Sequence, residues 1–250
     1  LPPEAALPIV SGIFINLYAG IAAITALPLT SEQMTLIAVF TLICHNLIAE
    51  GIIQHKSGIN VIKATLVRFL AAIIAVLIVS RFLGDTSQSV SVPTELTVQT
   101  PILEALKVWG INTLGLLLKI LGIVMTIMIS LEFSEALHWD RYSLKFFRPL
   151  MRIFRLSDRT ATLWVTSITF GLMYGGAVII DEAKKGILSQ EELERLHISI
   201  GINHAMVEDP ALFLALGLNP FWLWVPKIVM AIAAVQTYRV IRFLKNKLFR

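Results

Sequence analysis

The chain has 250 residues, 56% of them hydrophobic and only 15% charged, and its mean hydropathy is +0.76. Several apolar runs exceed the roughly 18 residues that cross a bilayer, which excludes a soluble globular domain and marks an integral membrane protein. The formal charge of +4 sits in basic blocks beside apolar runs. No basic domain stands clear of the membrane, so nucleic acid is not an expected partner.

The first apolar stretch, 7–27, reads as a membrane span carrying Ser11, Gly12, Asn16 and Gly20. Small residues at that spacing let another helix approach closely. No basic n-region precedes it, so no secretory signal peptide is expected, and a start at Leu1 without methionine points to a trimmed N-terminus. Pro28 ends the span, and Thr30-Ser31 followed by Glu32-Gln33 reads as a helix cap.

Residues 32–58 are apolar until His45, Asn46 and Glu50, then turn at Gly51 and run through His55, Lys56 and Gly58 to Asn60. Ionisable groups at membrane depth persist where they meet each other or line a cavity. This stretch is therefore expected to be a re-entrant, broken hairpin. A clear span follows over 59–83, with Lys63 and Arg68 near its start. The loop 84–100 lacks Lys and Arg and reads as extracytoplasmic.

A long helix is expected over 102–138, with one charge, Lys119, in its apolar core. In the next segment Lys145, Arg148, Arg152 and Arg155 fall on one helical face. Leu144, Phe147, Leu150, Met151 and Phe154 fall on the other. That pattern suits an amphipathic helix in the cytoplasmic interface.

The second half repeats the first. Ser167, Phe170, Tyr174 and Gly176 in the apolar stretch 161–180 match Ser11, Phe14, Tyr18 and Gly20 at an offset of 156. After a three-residue insertion the offset becomes 159, pairing His204 with His45, Gly217 with Gly58, and Asn219 with Asn60. The stretch 201–220, with Asn203, His204, Glu208 and Asp209, reads as the second hairpin, and 220–241 as the last span, where Lys227 replaces Arg68. If 190–208 crossed the bilayer with all else unchanged, the basic block at 139–159 and the basic tail would face opposite sides. Treating it as re-entrant puts both in the cytoplasm.

The expected fold is thus an all-α integral membrane protein with an inverted structural repeat. Each half is span, re-entrant broken hairpin, span. The divisions are a first repeat over 1–84, the loop 85–100, a connecting transmembrane helix over 101–138, the interfacial helix 139–159 and a second repeat over 160–250. Such inverted repeats with discontinuous helices are the architecture of many secondary transporters.

On Tyr174 to Gly186 and Gly201 to Gly217, with a weaker echo in the first half, the chain resembles the nucleoside-recognition or Gate-domain membrane proteins. That family includes spore-maturation proteins and is related to the membrane gate of ferrous-iron transporter B and to concentrative nucleoside transporters. The resemblance implies a hairpin-bearing gate or solute site in a prokaryotic cytoplasmic membrane. It does not imply that nucleosides are the substrate. Unlike the iron transporter, the chain has no G-x-x-x-x-G-K-[ST] loop.

The candidate substrate- or ion-binding residues are His45, Asn46, Glu50, Asn203, His204, Glu208, Asp209 and Lys119. Three readings compete for this cluster: a proton- or cation-coupled solute site, a structural polar network, and a metal site. Lys119 reads as a counter-ion to Glu50 or Asp209, slightly ahead of an anion-binding group or a side chain that snorkels to an interface. Arg68 and Lys227 read as interface anchors, and Asn60 and Asn219 as helix caps. The single cysteine, Cys44, excludes an internal disulfide. No enzyme activity and no cofactor are expected, since no nucleophile–base pair stands in catalytic spacing. The lipid bilayer and a small solute or ion are the expected partners, and a homodimer is plausible for so small a body. The functional alternatives are a transporter or gate and a non-transporting membrane scaffold of the envelope or spore-maturation type.

Overall fold

The computed structural model describes residues 1–86, 101–137 and 140–248. Its described residues contain helices and no strands, so the protein is an all-α integral membrane protein. In chain order the helices are α1 (Ala6–Phe14), α2 (Leu17–Ala26), α3 (Ser31–Ile43), α4 (Leu47–Lys56), α5 (Val61–Val79), α6 (Ile102–Ala136), α7 (Asp140–Phe154), α8 (Asp158–Lys184), α9 (Gln190–Asn203), α10 (Glu208–Leu214) and α11 (Pro220–Leu248). Five stretches are long and apolar enough to cross a bilayer: Ser31–Lys56, Val61–Val79, Ile102–Ser134, Asp158–Lys184 and Pro220–Leu248. From residue 87 the loop expected to be extracytoplasmic lies outside the described residues.

Local chemistry marks the helix starts at equivalent places in the two halves. Thr30 accepts from the Gln33 amide while Gln33 reaches back to the Thr30 N–H, a reciprocal capping box. Ser189 and Glu192 repeat it at the head of α9. Asn16, Asn60 and Asn219 each accept a backbone N–H at a helix start, from Ala19, Lys63 and Phe221 respectively.

Within each half the structure corrects the expected order of hairpin and span. The stretch 7–27 is not a straight span. α1 and α2 pack on each other as antiparallel arms around a tip at Ile15 and Asn16. A Cβ placed on Gly20 would sit 3.1 Å from the Pro8 carbonyl oxygen and 3.4 Å from the Gly12 Cα. The stretch 161–180 does the same inside α8. Gly171 has φ 82° and ψ 169°, and a Cβ on Gly175 would lie 2.8 Å from the Ser167 Cα. In a continuous helix residues eight apart are separated by about 12 Å. The chain therefore reverses at Gly171, and α8 is a hairpin despite its span-like length and composition. Gly171 and Ile15 are equivalent at the 156-residue offset.

The two stretches expected to be hairpins are instead broken helices that run on. α3 and α4 do not pack against each other, and α5 packs along both. α9 and α10 relate to α11 in the same way. Each half is therefore hairpin, broken helix, straight helix. The two broken helices cross near their breaks, burying a core that includes Ile43, Cys44, Ile200 and Ile202. With three crossings between equivalent points (31–56, 61–79 and α6), the second half is inverted relative to the first.

α6 is a peripheral helix, exposed along most of its length, whose Ile120, Ile123 and Val124 lean on a second apolar cluster around Phe213 and Leu218. α7 lies against α8 and α11. Its Met151 and Phe154 are buried, the Trp164 ring centroid lies 5.6 Å from those of both Phe147 (edge-to-face) and Phe154 (tilted), and Lys145, Arg148 and Arg152 point outward. This is the amphipathic division expected from its spacing; the Leu144 side chain lies outside what is described.

Candidate functional site

The site forms where both broken helices lose their hydrogen-bond ladder. α3 ends at Ile43, and Asn46 is left-handed at φ 49°. α9 ends at Asn203, and Ala205, equivalent to Asn46, is left-handed at φ 47°. Each break exposes backbone groups that need partners in an apolar interior. The hairpin tips accept the freed N–H groups. Asn46 donates to the Gly12 carbonyl at 2.9 Å, Ala205 to that of Ser167 at 3.3 Å, and Met206 to that of Ile168 at 2.7 Å.

Straight helices supply the matching donors. Arg68 of α5 donates from Nη2 to the His45 carbonyl (2.9 Å) and from Nε to the Ile43 carbonyl (3.2 Å). Lys227 of α11 donates to the His204 carbonyl at 2.6 Å, and the Trp224 indole N–H to that of Met206 at 2.8 Å. Arg68 and Lys227 are buried, at 2% and 1% exposure. They are not interface anchors: two or more turns into their helices, they reach the centre of the fold. A signal for this was present, because Glu50–Arg68 and Asp209–Lys227 share a spacing of 18 residues in the two halves.

Four of the expected site residues meet between the breaks. His45 Nδ1 lies 2.8 Å from the Thr41 carbonyl, and His204 Nδ1 lies 2.9 Å from that of Ile200. A carbonyl can only accept, so each Nδ1 carries its proton and the two Nε2 atoms turn inward. They are 3.3 Å apart. Glu50 gives one oxygen to Arg68 at 2.6 Å and places the other 3.0 Å from His204 Nε2 and 3.6 Å from His45 Nε2. Asp209 Oδ2 stands 3.6 Å from His45 Nε2 and 3.9 Å from Lys227 Nζ, buried and without a hydrogen-bond partner.

The remaining candidates are placed differently. Glu208 accepts from the Tyr18 hydroxyl of the first hairpin instead of joining the centre. Its position four residues after His204 does not put it on the same face, because the helix is interrupted between them. Lys119 on α6 donates to the Ala215 carbonyl and is not the counter-ion of either carboxylate. Asn46 contributes its left-handed backbone at the break and makes no side-chain cap. Asn203 is fully buried, with neither amide atom hydrogen-bonded. His197, two turns before His204, was not singled out from the sequence. It too is buried with both ring nitrogens unpartnered, and a lone histidine in an apolar helix gives little pattern to find it by.

Chemically, the centre presents acceptors. Arg68 is spent on Glu50 and two carbonyls, so it is not an open anion receptor. What faces inward is two imidazole lone pairs and two carboxylate oxygens.

No protein-family model matches the chain, and no solved structure matches it. The chain is 32% identical over 229 residues to a protein of Bacillus subtilis (strain 168) with the name uncharacterized membrane protein YvoD; the match covers 89% of this chain and 72% of that protein. The chain belongs to the membrane-protein family that includes YvoD.

Proposed function

We propose that the protein is a secondary transporter or gate for a small polar solute or ion in a prokaryotic cytoplasmic membrane, of the nucleoside-recognition or Gate type. The observation that carries this reading is the meeting of two broken helices, from oppositely oriented halves, at His45, Glu50, His204 and Asp209. Discontinuous helices related by a pseudo-two-fold axis are the usual frame of a transport site, because their interrupted ends supply unpaired groups at mid-depth. The hairpin tips touch the breaks directly. A shift of either hairpin would therefore alter the site.

A second reading, a non-transporting scaffold of the envelope or spore-maturation type, is favoured by one observation. Arg68 is fully occupied in bridging the break, as a purely structural network requires. The two readings separate in a thermal-shift panel on detergent-purified protein, using nucleosides, organic anions, Na⁺ and divalent cations. A ligand that raises the melting temperature of wild type but not of His204→Gln supports the transport site. No shift by any ligand, with His204→Gln simply melting lower, supports the scaffold.

A further inference from the structure

From the geometry between the breaks we infer that the ligand of this site is a divalent transition-metal ion, bound by His45 Nε2, His204 Nε2 and Asp209 Oδ2 with Glu50 beside them. The inference rests on the transport reading above for its biological sense, but its chemistry stands on the side chains alone.

Three ligand atoms, one each from His45, His204 and Asp209, lie within 4.8 Å of one another, and all three residues are buried. The two Nε2 atoms are 3.3 Å apart and His45 Nε2 is 3.6 Å from Asp209 Oδ2. Ligand atoms about 2.0–2.1 Å from a tetrahedral ion stand about 3.3–3.4 Å from each other. Two of the three edges are close to that, and the third, between His204 and Asp209, is within 4.8 Å.

The protonation pattern points the same way. Both Nδ1 atoms face backbone carbonyls at 2.8 and 2.9 Å, the outer contact that orients a metal-ligating histidine and leaves Nε2 as an electron-pair donor. Two such lone pairs at 3.3 Å repel unless a positive species lies between them. A single shared proton would serve one contact, between the two rings or between His204 and Glu50. It would leave Asp209 Oδ2, buried and 3.9 Å from Lys227 Nζ, without a hydrogen-bond donor. One metal ion serves all three atoms at once.

Mixed imidazole and carboxylate ligation fits ions of the Zn²⁺, Co²⁺, Fe²⁺ and Ni²⁺ type and does not fit Ca²⁺ or Mg²⁺, which take oxygen ligands. Arg68 and Lys227 stand behind the two carboxylates. Their like charge weakens the hold on a cation, which suits an ion that must leave again rather than a resident cofactor.

The test uses Co²⁺ alone as the probe, added to untagged, full-length protein in detergent. The expected result is the intense visible absorption of four-coordinate Co²⁺, saturating at one ion per chain. The band is lost in His204→Gln and in Asp209→Asn, and kept in His55→Gln, whose histidine is exposed on α4. X-ray absorption at the cobalt edge of the wild-type complex needs no variant, and is expected to count two imidazole nitrogens. Absence of the band in wild type, its survival in His204→Gln, or a cobalt shell without imidazole would overturn the assignment. Flux in vesicles separates this from failure of the transport reading. If a non-metal solute is carried and no cobalt binds, the metal assignment falls and transport stands. If cobalt binds and nothing is carried, transport falls and the metal site stands.

Discussion

Arg68 gives the sharpest energetic prediction. At 2% exposure its guanidinium bridges the Glu50 carboxylate at 2.6 Å and the carbonyls of His45 and Ile43 at 2.9 and 3.2 Å. Arg68→Met keeps much of the side-chain volume but strands a buried carboxylate, a loss of about 3–5 kcal/mol. The two carbonyls lose their donor as well, at about 1 kcal/mol or more each. The variant is therefore expected to be destabilised by at least about 5 kcal/mol. Arg68→Met/Glu50→Leu removes the stranded charge and leaves only the carbonyls, so it is expected to recover more than half of that loss. Lys227→Met should cost less than Arg68→Met, since Lys227 reaches one carbonyl at 2.6 Å and Asp209 only at 3.9 Å. Reversible unfolding in mixed micelles, followed by far-ultraviolet circular dichroism, measures all three. If Arg68→Met lies within about 1 kcal/mol of wild type, or if the double variant is no more stable than the single, Arg68 does not bridge the break as described.

Other perturbations probe the hairpins and the helix starts. Gly175→Ala forces a methyl group against the Ser167 backbone. It is expected to lower the unfolding midpoint clearly, whereas Gly186→Ala, with open space around it but φ 68°, should cost only about 1 kcal/mol; equal effects would mean the arms of α8 are not in contact. Trp224→Phe removes one bond to the Met206 carbonyl and is expected to cost about 1 kcal/mol in the same unfolding assay. Thr30→Ala and Ser189→Ala each remove an equivalent cap and should each cost about 1 kcal/mol; a large difference between them would contradict the equivalence of the repeats. Lys185, in the turn after the second hairpin, is held above the ordinary lysine value of 10.5, first by its hydrogen bond to Glu182 and then by Asp181. A raised value in the folded state means the contribution is complete below 10.5 and fades as pH rises through the raised value. Lys185→Gln should flatten only the alkaline end of the melting-temperature profile.

Much of this fold was legible in the residues. The 159-residue offset paired His45 with His204 before any geometry was known, and their rings stand 4.9 Å apart. The exchange of hairpin and span within each half was not legible, for two physical reasons. A hairpin whose arms pack through Gly12 and Gly20 can be apolar throughout, so its composition matches that of a span, while the polar residues belong to breaks in helices that continue. Charge could not arbitrate either. The positive-inside rule counts parity, and swapping one hairpin with one span in each half leaves both basic blocks on the same face. Two cues were nevertheless present: small residues eight or nine apart within each apolar stretch, and the acid–base spacing of 18 residues repeated in both halves. Lys119 and Glu208 misled because lone charges in apolar sequence were assigned to the one visible centre, whereas each finds a local partner in Ala215 or Tyr18.

The proposed transport requires that a solute or ion passes where the two breaks meet. The direct measurement is flux into proteoliposomes that hold a metal-sensitive dye or receive labelled solutes, comparing wild type, His204→Gln and protein-free vesicles. The account predicts uptake through wild type that saturates with concentration and is lost in His204→Gln while that variant remains folded. Uptake that is the same in all three preparations would contradict it.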